Sequence, residues 1–359
     1  MKVFLTGGTG FLGQYLLAEL LRRGHEVFSL YRSEEKRLAA EAFLEGTGLG
    51  QSLAHLKMLK GDLQDLGAKW PSWAERVAGF GDMEAILHGA ASLKMNSDRT
   101  GEPFRTNREG TRIVADLASS RSLSLHYIST AFVCGKTEKD TIFETAHPQA
   151  EFVNDYETSK WQAEQLLLDR ATILRPSIIL GDTISGRTTS FYGWYVILKT
   201  LNLMSRLLAA APAAVRRRFT IKVPADAQGV TNLVPVDYVA GAVVRIFEDK
   251  ALHNRIYHLT HPKPPTNEWL NQVICRRLGI KGIRFVGSRA PLPEPANEIQ
   301  RVMRRQVRTL LPYFSRNYVF DRKNTDAALK DFPAPAISEE YLNLVMDYAL
   351  ESDWGRRES

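Results

Sequence analysis

Cysteine is scarce in this chain: of 359 residues only Cys134 and Cys275 carry a thiol. They stand far apart with no Cys-x-x-Cys or Cys/His ligand spacing around them, which suggests neither a disulfide framework nor a zinc site. Long apolar runs are missing too. The most apolar stretch, Trp194 to Val215, is interrupted by Lys199, Arg206 and Pro212, short of the roughly 20 consecutive apolar residues a spanning helix needs. There is no internal repeat and no low-complexity segment. With an apolar strand starting at Lys2, no room is left for a charged n-region, an apolar h-region and a cleavage site, so the expected compartment is the reducing cytoplasm. The charge excess is modest, Lys+Arg 47 against Asp+Glu 40, a net +7. That field favours anionic ligands, but no aromatic-plus-basic recognition motif accompanies it, so nucleic acid is not an expected partner.

The 44% of hydrophobic residues is ample for a core. Apolar runs alternate with helical patterns: Val3 to Leu5, Val27 to Leu30, Leu56 to Leu59, Ala85 to Leu87, Leu125 to Ile128, Ile173 to Leu174 and Ile256 to Leu259. Helices between them are marked by Tyr15 to Arg23, Arg108 to Ser119 and Thr158 to Asp169. This pattern predicts an α/β fold with a doubly wound parallel sheet buried on both faces. After Gly181 the pattern changes to a Gly/Thr/Ser cluster, an amphipathic run from Trp194 and the basic cluster Arg216-Arg217-Arg218. The expected organisation is therefore a dinucleotide-binding domain over 1–180, with 230–260 returning to it, and a smaller interleaved substrate lobe over 181–229 and 261–359. Pro-rich segments His261 to Pro265 and Pro291 to Pro295 punctuate that lobe.

Between the first strand and the first helix lie Thr6-Gly7-Gly8-Thr9-Gly10-Phe11-Leu12-Gly13. A pyrophosphate must lie against main-chain N–H groups at a helix N-terminus, and a Cβ at those glycines would hold it away, so the segment reads as a phosphate cradle.

A second signal is Tyr156-Glu157-Thr158-Ser159-Lys160. Tyrosine and lysine four residues apart on a helix share one face. An ammonium about 4 Å from a phenol, at an effective dielectric of about 20, favours the phenolate by up to about 4 kcal/mol, or roughly three pK units. That draws Tyr156 toward the range of general acid–base chemistry. Upstream, Ser129-Thr130 places two hydroxyls at the end of a buried strand, where open α/β sheets bind ligands. Thr130 can there share a substrate oxygen with Tyr156.

With these residues in order, the chain resembles the extended short-chain dehydrogenase/reductase superfamily. The resemblance includes Gly61-Asp62-Leu63, His88-Gly89-Ala90-Ala91, Asn107-x-x-Gly110-Thr111, Leu174-Arg175-Pro176 and Asn232 to Ala240. Within it the chain is most similar to the thioester reductase and fatty acyl-CoA reductase group. Gly61-Asp62-Leu63 followed by Leu66-Gly67, His88 to Met95, Ile128 to Val133 and Asp155 to Glu164 carry that likeness. The resemblance implies a catalytic set of Thr130, Tyr156 and Lys160, with Asn107 as a supporting residue and Lys160 also holding the nicotinamide ribose. The implied cofactor contacts are Gly7, Gly10, Phe11, Leu12, Gly13, Arg32, Asp62, Leu63, Ala90, Lys160, Pro176 and Ile178. Two features depart from the pattern. Cys134 stands where many extended members have tyrosine, and the C-terminal part is shorter than in eukaryotic fatty acyl-CoA reductases.

Cofactor choice is read at the end of the second strand. A carboxylate there would bind the ribose 2′-hydroxyl of NAD, but the chain has Arg32, followed by Lys36 and Arg37. Arg32 can pair with a 2′-phosphate, so NADPH is expected over NADH, with Asp62 near the adenine. Arg216 to Arg218, Lys222, Arg301, Arg304, Arg305 and Arg308 form either a solvated face or a receiver for coenzyme A, phosphopantetheine or an acidic carrier protein. The stripe Ile197, Leu201, Met204 and Leu208 either packs on its own lobe, lines an acyl channel or rests on a membrane surface.

The expected activity is NADPH-dependent reduction of an acyl-CoA or acyl-carrier thioester to an aldehyde, with further reduction to the alcohol left open. Two rivals stand beside it: a ketone or steroid dehydrogenase or nucleotide-sugar epimerase using the same trio, and a non-catalytic cofactor-binding subunit.

Overall fold

A computed structural model describes residues 1–63, 82–137, 141–288, 301, 313 and 316–356. Among them seven strands build the main sheet: β1 (Lys2–Thr6), β2 (Glu26–Tyr31), β3 (Leu56–Lys60), β4 (Ala85–His88), β5 (Ser124–Ile128), β6 (Thr172–Pro176) and β7 (Ile256–Leu259). All pairings are parallel, in the order β3-β2-β1-β4-β5-β6-β7. Every apolar run expected to be a strand is one.

Parallel strands need crossovers that cover both faces, which is why these runs carry little polar alternation. In β1 the side chains split by parity. Val3 and Leu5 join Leu16, Leu20, Val243 and Phe247 on one face. Phe4 joins Val114, Leu117 and Ala163 on the other. Strand order reverses between β1 and β4, so a crevice opens beyond their carboxyl ends, where ligands of such sheets bind.

Three helices differ from expectation at their starts, each for a local reason. Helix Phe11–Arg22 begins earlier because Gly10 serves as its N-cap. Helix Asp155–Gln165 also begins earlier, since the Asn154 side chain accepts the Glu157 N–H at 2.9 Å and closes the first turn around Tyr156. Helix Gly110–Ser120 is preceded by a widened π turn over Arg105–Glu109 that carries Asn107, a feature frequent at functional sites.

A separate apolar cluster gathers helices Trp194–Ala210, Asn267–Leu278 and Glu339–Glu351 around Leu180 and Leu233. Leu201 and Met204 are buried in it, and Ile197 and Leu208 pack against it. The stripe therefore packs against this cluster. The chain also crosses back late: Val319–Phe320 pairs with Thr141–Ile142, and Leu329 enters the core beside the main sheet. No helix among the described residues is long and apolar enough to cross a membrane. Leu66-Gly67, Pro291 to Pro295, Arg304, Arg305, Arg308 and the side chains of Arg217 and Arg218 lie outside the described residues. Arg216, Lys222 and Arg301 are exposed.

Candidate active site

Beyond β1 the backbone turns at Gly7 with φ +80°. A Cβ on Gly7 would meet the Ala90 backbone nitrogen at 2.7 Å, and one on Gly13 would meet the Gly7 carbonyl oxygen at 2.0 Å. The glycines thus serve packing before they serve a ligand, because the loop, the segment after β4 and the helix close on one another only without side chains. Gly10, the N-cap, offers no side-chain acceptor, and the first turn of helix Phe11–Arg22 holds no acidic residue. Its leading N–H groups are left for an anion.

The cradle opens into a cavity of about 820 Å³. All twelve residues expected at the cofactor line it, from Gly7 and Arg32 to Pro176 and Ile178, together with Thr130 and Tyr156. Cradle, free helix end and cavity size fit a nicotinamide dinucleotide. Sequence reading missed several other lining residues, among them Gln14, Trp194 and Tyr313. Gln14 faces the cavity from within an ordinary helical pattern, and Tyr313 is brought in from 157 positions beyond Tyr156, so neither gave a local signal.

Tyr156, in the first turn of its helix, and Thr130, just after β5, both face the cavity. Lys160, one turn on, is buried; its Nζ donates to the Ile128 carbonyl oxygen at 2.7 Å and lies 4.1 Å from the Tyr127 ring centroid. Burial pushes Lys160 down to about 7, opposed by the Glu164 charge. Burial, aided by the Glu157 charge, pushes Tyr156 up to about 12, with the Thr130 hydroxyl acting the other way. This corrects the expectation that Lys160 draws the phenol toward neutral pH. The ammonium is directed at a carbonyl and an aromatic face instead, and desolvation dominates.

Asn107 does not line the cavity. It is buried and cross-braces two elements: its Nδ2 donates to Ser92 O at 3.0 Å and to Ser159 Oγ at 2.9 Å, while its Oδ1 accepts the Ser92 N–H at 2.7 Å. Ser159 Oγ donates in turn to the Tyr156 carbonyl at 2.8 Å. Register places Thr6 beside His88 and His88 beside Tyr127. His88 Nδ1 lies 2.6 Å from Thr6 Oγ1 and Nε2 lies 3.0 Å from Thr111 Oγ1. Burial, with the Lys160 charge, pushes His88 down to about 3, so the ring is neutral beneath the site. Arg32 pairs with Asp62 at 3.5 Å.

Fold and site define a nicotinamide-dependent oxidoreductase of the extended short-chain dehydrogenase/reductase type. The chain belongs to the male sterility protein family of NAD-binding domains, whose family model matches residues 5–243. It is 26% identical over 307 residues to a decarboxylating sterol-4-alpha-carboxylate 3-dehydrogenase of Dictyostelium discoideum, a match covering 79% of this chain and 87% of that one. It is 28% identical over 289 residues to the nonribosomal peptide synthetase asaC of Aspergillus flavus, covering 73% of this chain but 26% of that much longer protein. In structure it resembles the terminal R domain from the myxalamid PKS-NRPS biosynthetic pathway, with TM-score 0.78, 23% identity and coverage of 100% of this chain and 92% of that domain.

Proposed function

We propose that the protein reduces acyl thioesters, carried on coenzyme A or on a phosphopantetheine arm, with NADPH as reductant. The likeness to a terminal R domain over the whole chain is the observation that carries this reading. Residues 181–229 and 261–359 are assigned to a substrate lobe, with 1–180 and 230–260 binding the cofactor. The exposed Arg216, Lys222 and Arg301 suit an acidic carrier or the phosphates of coenzyme A.

A reduced nicotinamide bound in the cavity supplies a hydride. The Gly7–Gly13 cradle and the helix N-terminus hold its pyrophosphate, Arg32 and Lys36 face its 2′-phosphate, and Lys160 holds its ribose. Thr130 and Tyr156 donate hydrogen bonds to the thioester carbonyl oxygen as negative charge builds there, and Tyr156 gives up its proton to that oxygen. As the C–S bond of the tetrahedral hemithioacetal breaks, its hydroxyl proton returns to Tyr156 and the leaving sulfur takes a proton from solvent, releasing aldehyde and thiol. His88, neutral and buried, adds no competing charge beneath Lys160. Asn107 acts by holding Ser92 and Ser159, and so the backbone of the Tyr156 turn, in place.

The test mixes protein, NADPH and a panel of acyl-CoA and acyl-carrier thioesters, following NADPH loss and free thiol together. Thiol release in step with NADPH oxidation is expected. The Dictyostelium dehydrogenase, nearly all of whose length is matched, favours a second reading: oxidation or reduction at a steroid or other ketone carbon by the same trio. NADP-linked turnover of a 3-hydroxysteroid without any thiol release would select it.

A further inference from the structure

Two residues from the far end of the chain grip the turn that carries Tyr156. Asn154 caps the helix, and Glu157 reaches back so that its Oε2 accepts the Val153 N–H at 3.1 Å. Tyr156 stands between them. Asn154 Nδ2 donates to Tyr313 Oη at 2.9 Å. Arg316 Nη1 lies 3.2 Å from Glu157 Oε1 and Nη2 lies 3.4 Å from Oε2, a two-pronged contact. The guanidinium is itself 5.6 Å from the ring centroids of both Tyr313 and Tyr318. Glu157 is 0% and Arg316 7% exposed at the side chain. Tyr313 also lines the cavity and meets Phe132 edge-on at 5.0 Å.

A carboxylate taken fully out of water is tolerated only when its charge is matched. The match here comes from outside the dinucleotide-binding part of the chain, at the residue next to Tyr156. We propose that Arg316 is a positioning residue for Tyr156: it neutralises Glu157 and, with Tyr313, clamps the Asn154–Glu157 cap on which the proton donor sits. This rests on the reading of Tyr156 as proton donor. Among the described residues, the titratable and charged groups around the turn include Asp155 and Lys160 on its own helix, Tyr127 on β5, Cys134 after β5, and Tyr313, Arg316 and Tyr318 from the C-terminal part. The Glu157 charge already makes Tyr156 hold its proton more tightly. Left unmatched, it strengthens that hold, making Tyr156 a weaker acid that ionises at higher pH.

The test compares wild type, R316Q, R316K and the double variant E157Q/R316Q in the full chain, with NADPH and either octanoyl-CoA or octanal. In R316Q we expect kcat to fall about tenfold or more through misplacement of the donor, KM for NADPH to stay unchanged, and the alkaline limb of the pH profile to move upward. R316K restores most of kcat, and E157Q/R316Q returns the limb toward its wild-type position. Octanal needs Tyr156 but no thioester cleavage, so a protein active on octanal and silent on both acyl-CoA and acyl-carrier thioesters overturns the thioester reading while still testing this one. Hydrogen exchange needs no substrate: R316Q is expected to speed exchange at the Val153 and Glu157 amides and leave helix Gly110–Ser120 unchanged. Unchanged exchange at the Val153 and Glu157 amides overturns the inference, whatever the substrate. So does wild-type kcat and limb position in R316Q, or a loss that R316K fails to rescue.

Discussion

Arg32 Nη1 lies 3.5 Å from Asp62 Oδ2, and both residues line the cofactor cavity. At 69% and 35% exposure such a pair contributes at most about 1 kcal/mol, so it scarcely opposes a turn of Arg32 toward the 2′-phosphate proposed for it. Arg32→Glu is expected to weaken NADPH binding by at least about tenfold while changing NADH little, as one charge-assisted contact is lost. Fluorescence titration with both nucleotides checks this. Equal affinity of the wild type for the two would remove the proposed NADPH preference.

Tyr156→Phe keeps the ring that fills the cavity wall and removes the proton. A fall in kcat of about 10²- to 10⁴-fold is expected, with NADPH affinity retained. A variant that still turns over at the wild-type rate would exclude Tyr156 as the acid.

Lys160 gives stability an alkaline dependence. Its pKa falls from 10.5 to about 7 in the folded chain, so between those values the unfolded chain binds more protons. Stability should then rise with pH across that window, with a slope of up to about 1.4 kcal/mol per unit from this one group, and stay level below it. Urea titrations at a series of pH values should show a flatter rise in Lys160→Met; identical slopes would argue that the lysine is not desolvated.

Gly13→Ala would bring a Cβ within 2.0 Å of the Gly7 carbonyl. Loss of nucleotide binding and a lower melting temperature are expected. Gly46→Ala, where no atom lies within 4 Å of the added carbon, serves as the control and should be neutral. Calorimetry with and without NADPH separates the two, and a Gly13→Ala protein that melts and binds like the wild type would contradict the packing role.

For Asn107→Ala the partly buried Ser92 N–H and carbonyl and the buried Ser159 hydroxyl each lose a hydrogen bond. Such a bond contributes about 0.5–1.5 kcal/mol, so a drop in urea midpoint is expected together with a lower kcat. A loss of NADPH affinity with unchanged stability would instead put Asn107 in contact with the cofactor.

Most of the seven strands were legible because a parallel strand buried on both faces must be a continuous apolar run, as Val3 to Leu5 and Ile256 to Leu259 are, whereas the edge strand Leu56–Lys60 is only partly covered and carries lysines between its apolar residues. Gly7, Gly10 and Gly13 were legible for a related reason: their requirement is local, a tight turn entering a helix. Tyr156 and Lys160 share a face by helical spacing alone. The direction of Lys160 was not legible, since its partners Ile128 and Tyr127 belong to β5, about 30 residues before its helix.

By itself, then, the sequence determined the sheet, the phosphate cradle and which side chains stand on one turn of one helix, since backbone geometry over a few residues sets these. Tertiary structure alone decided the charge balance around Tyr156 and Lys160. Desolvation depends on everything packed around a group, and Arg316, Tyr313 and Asn107 reach the site across long stretches of chain that no local pattern connects.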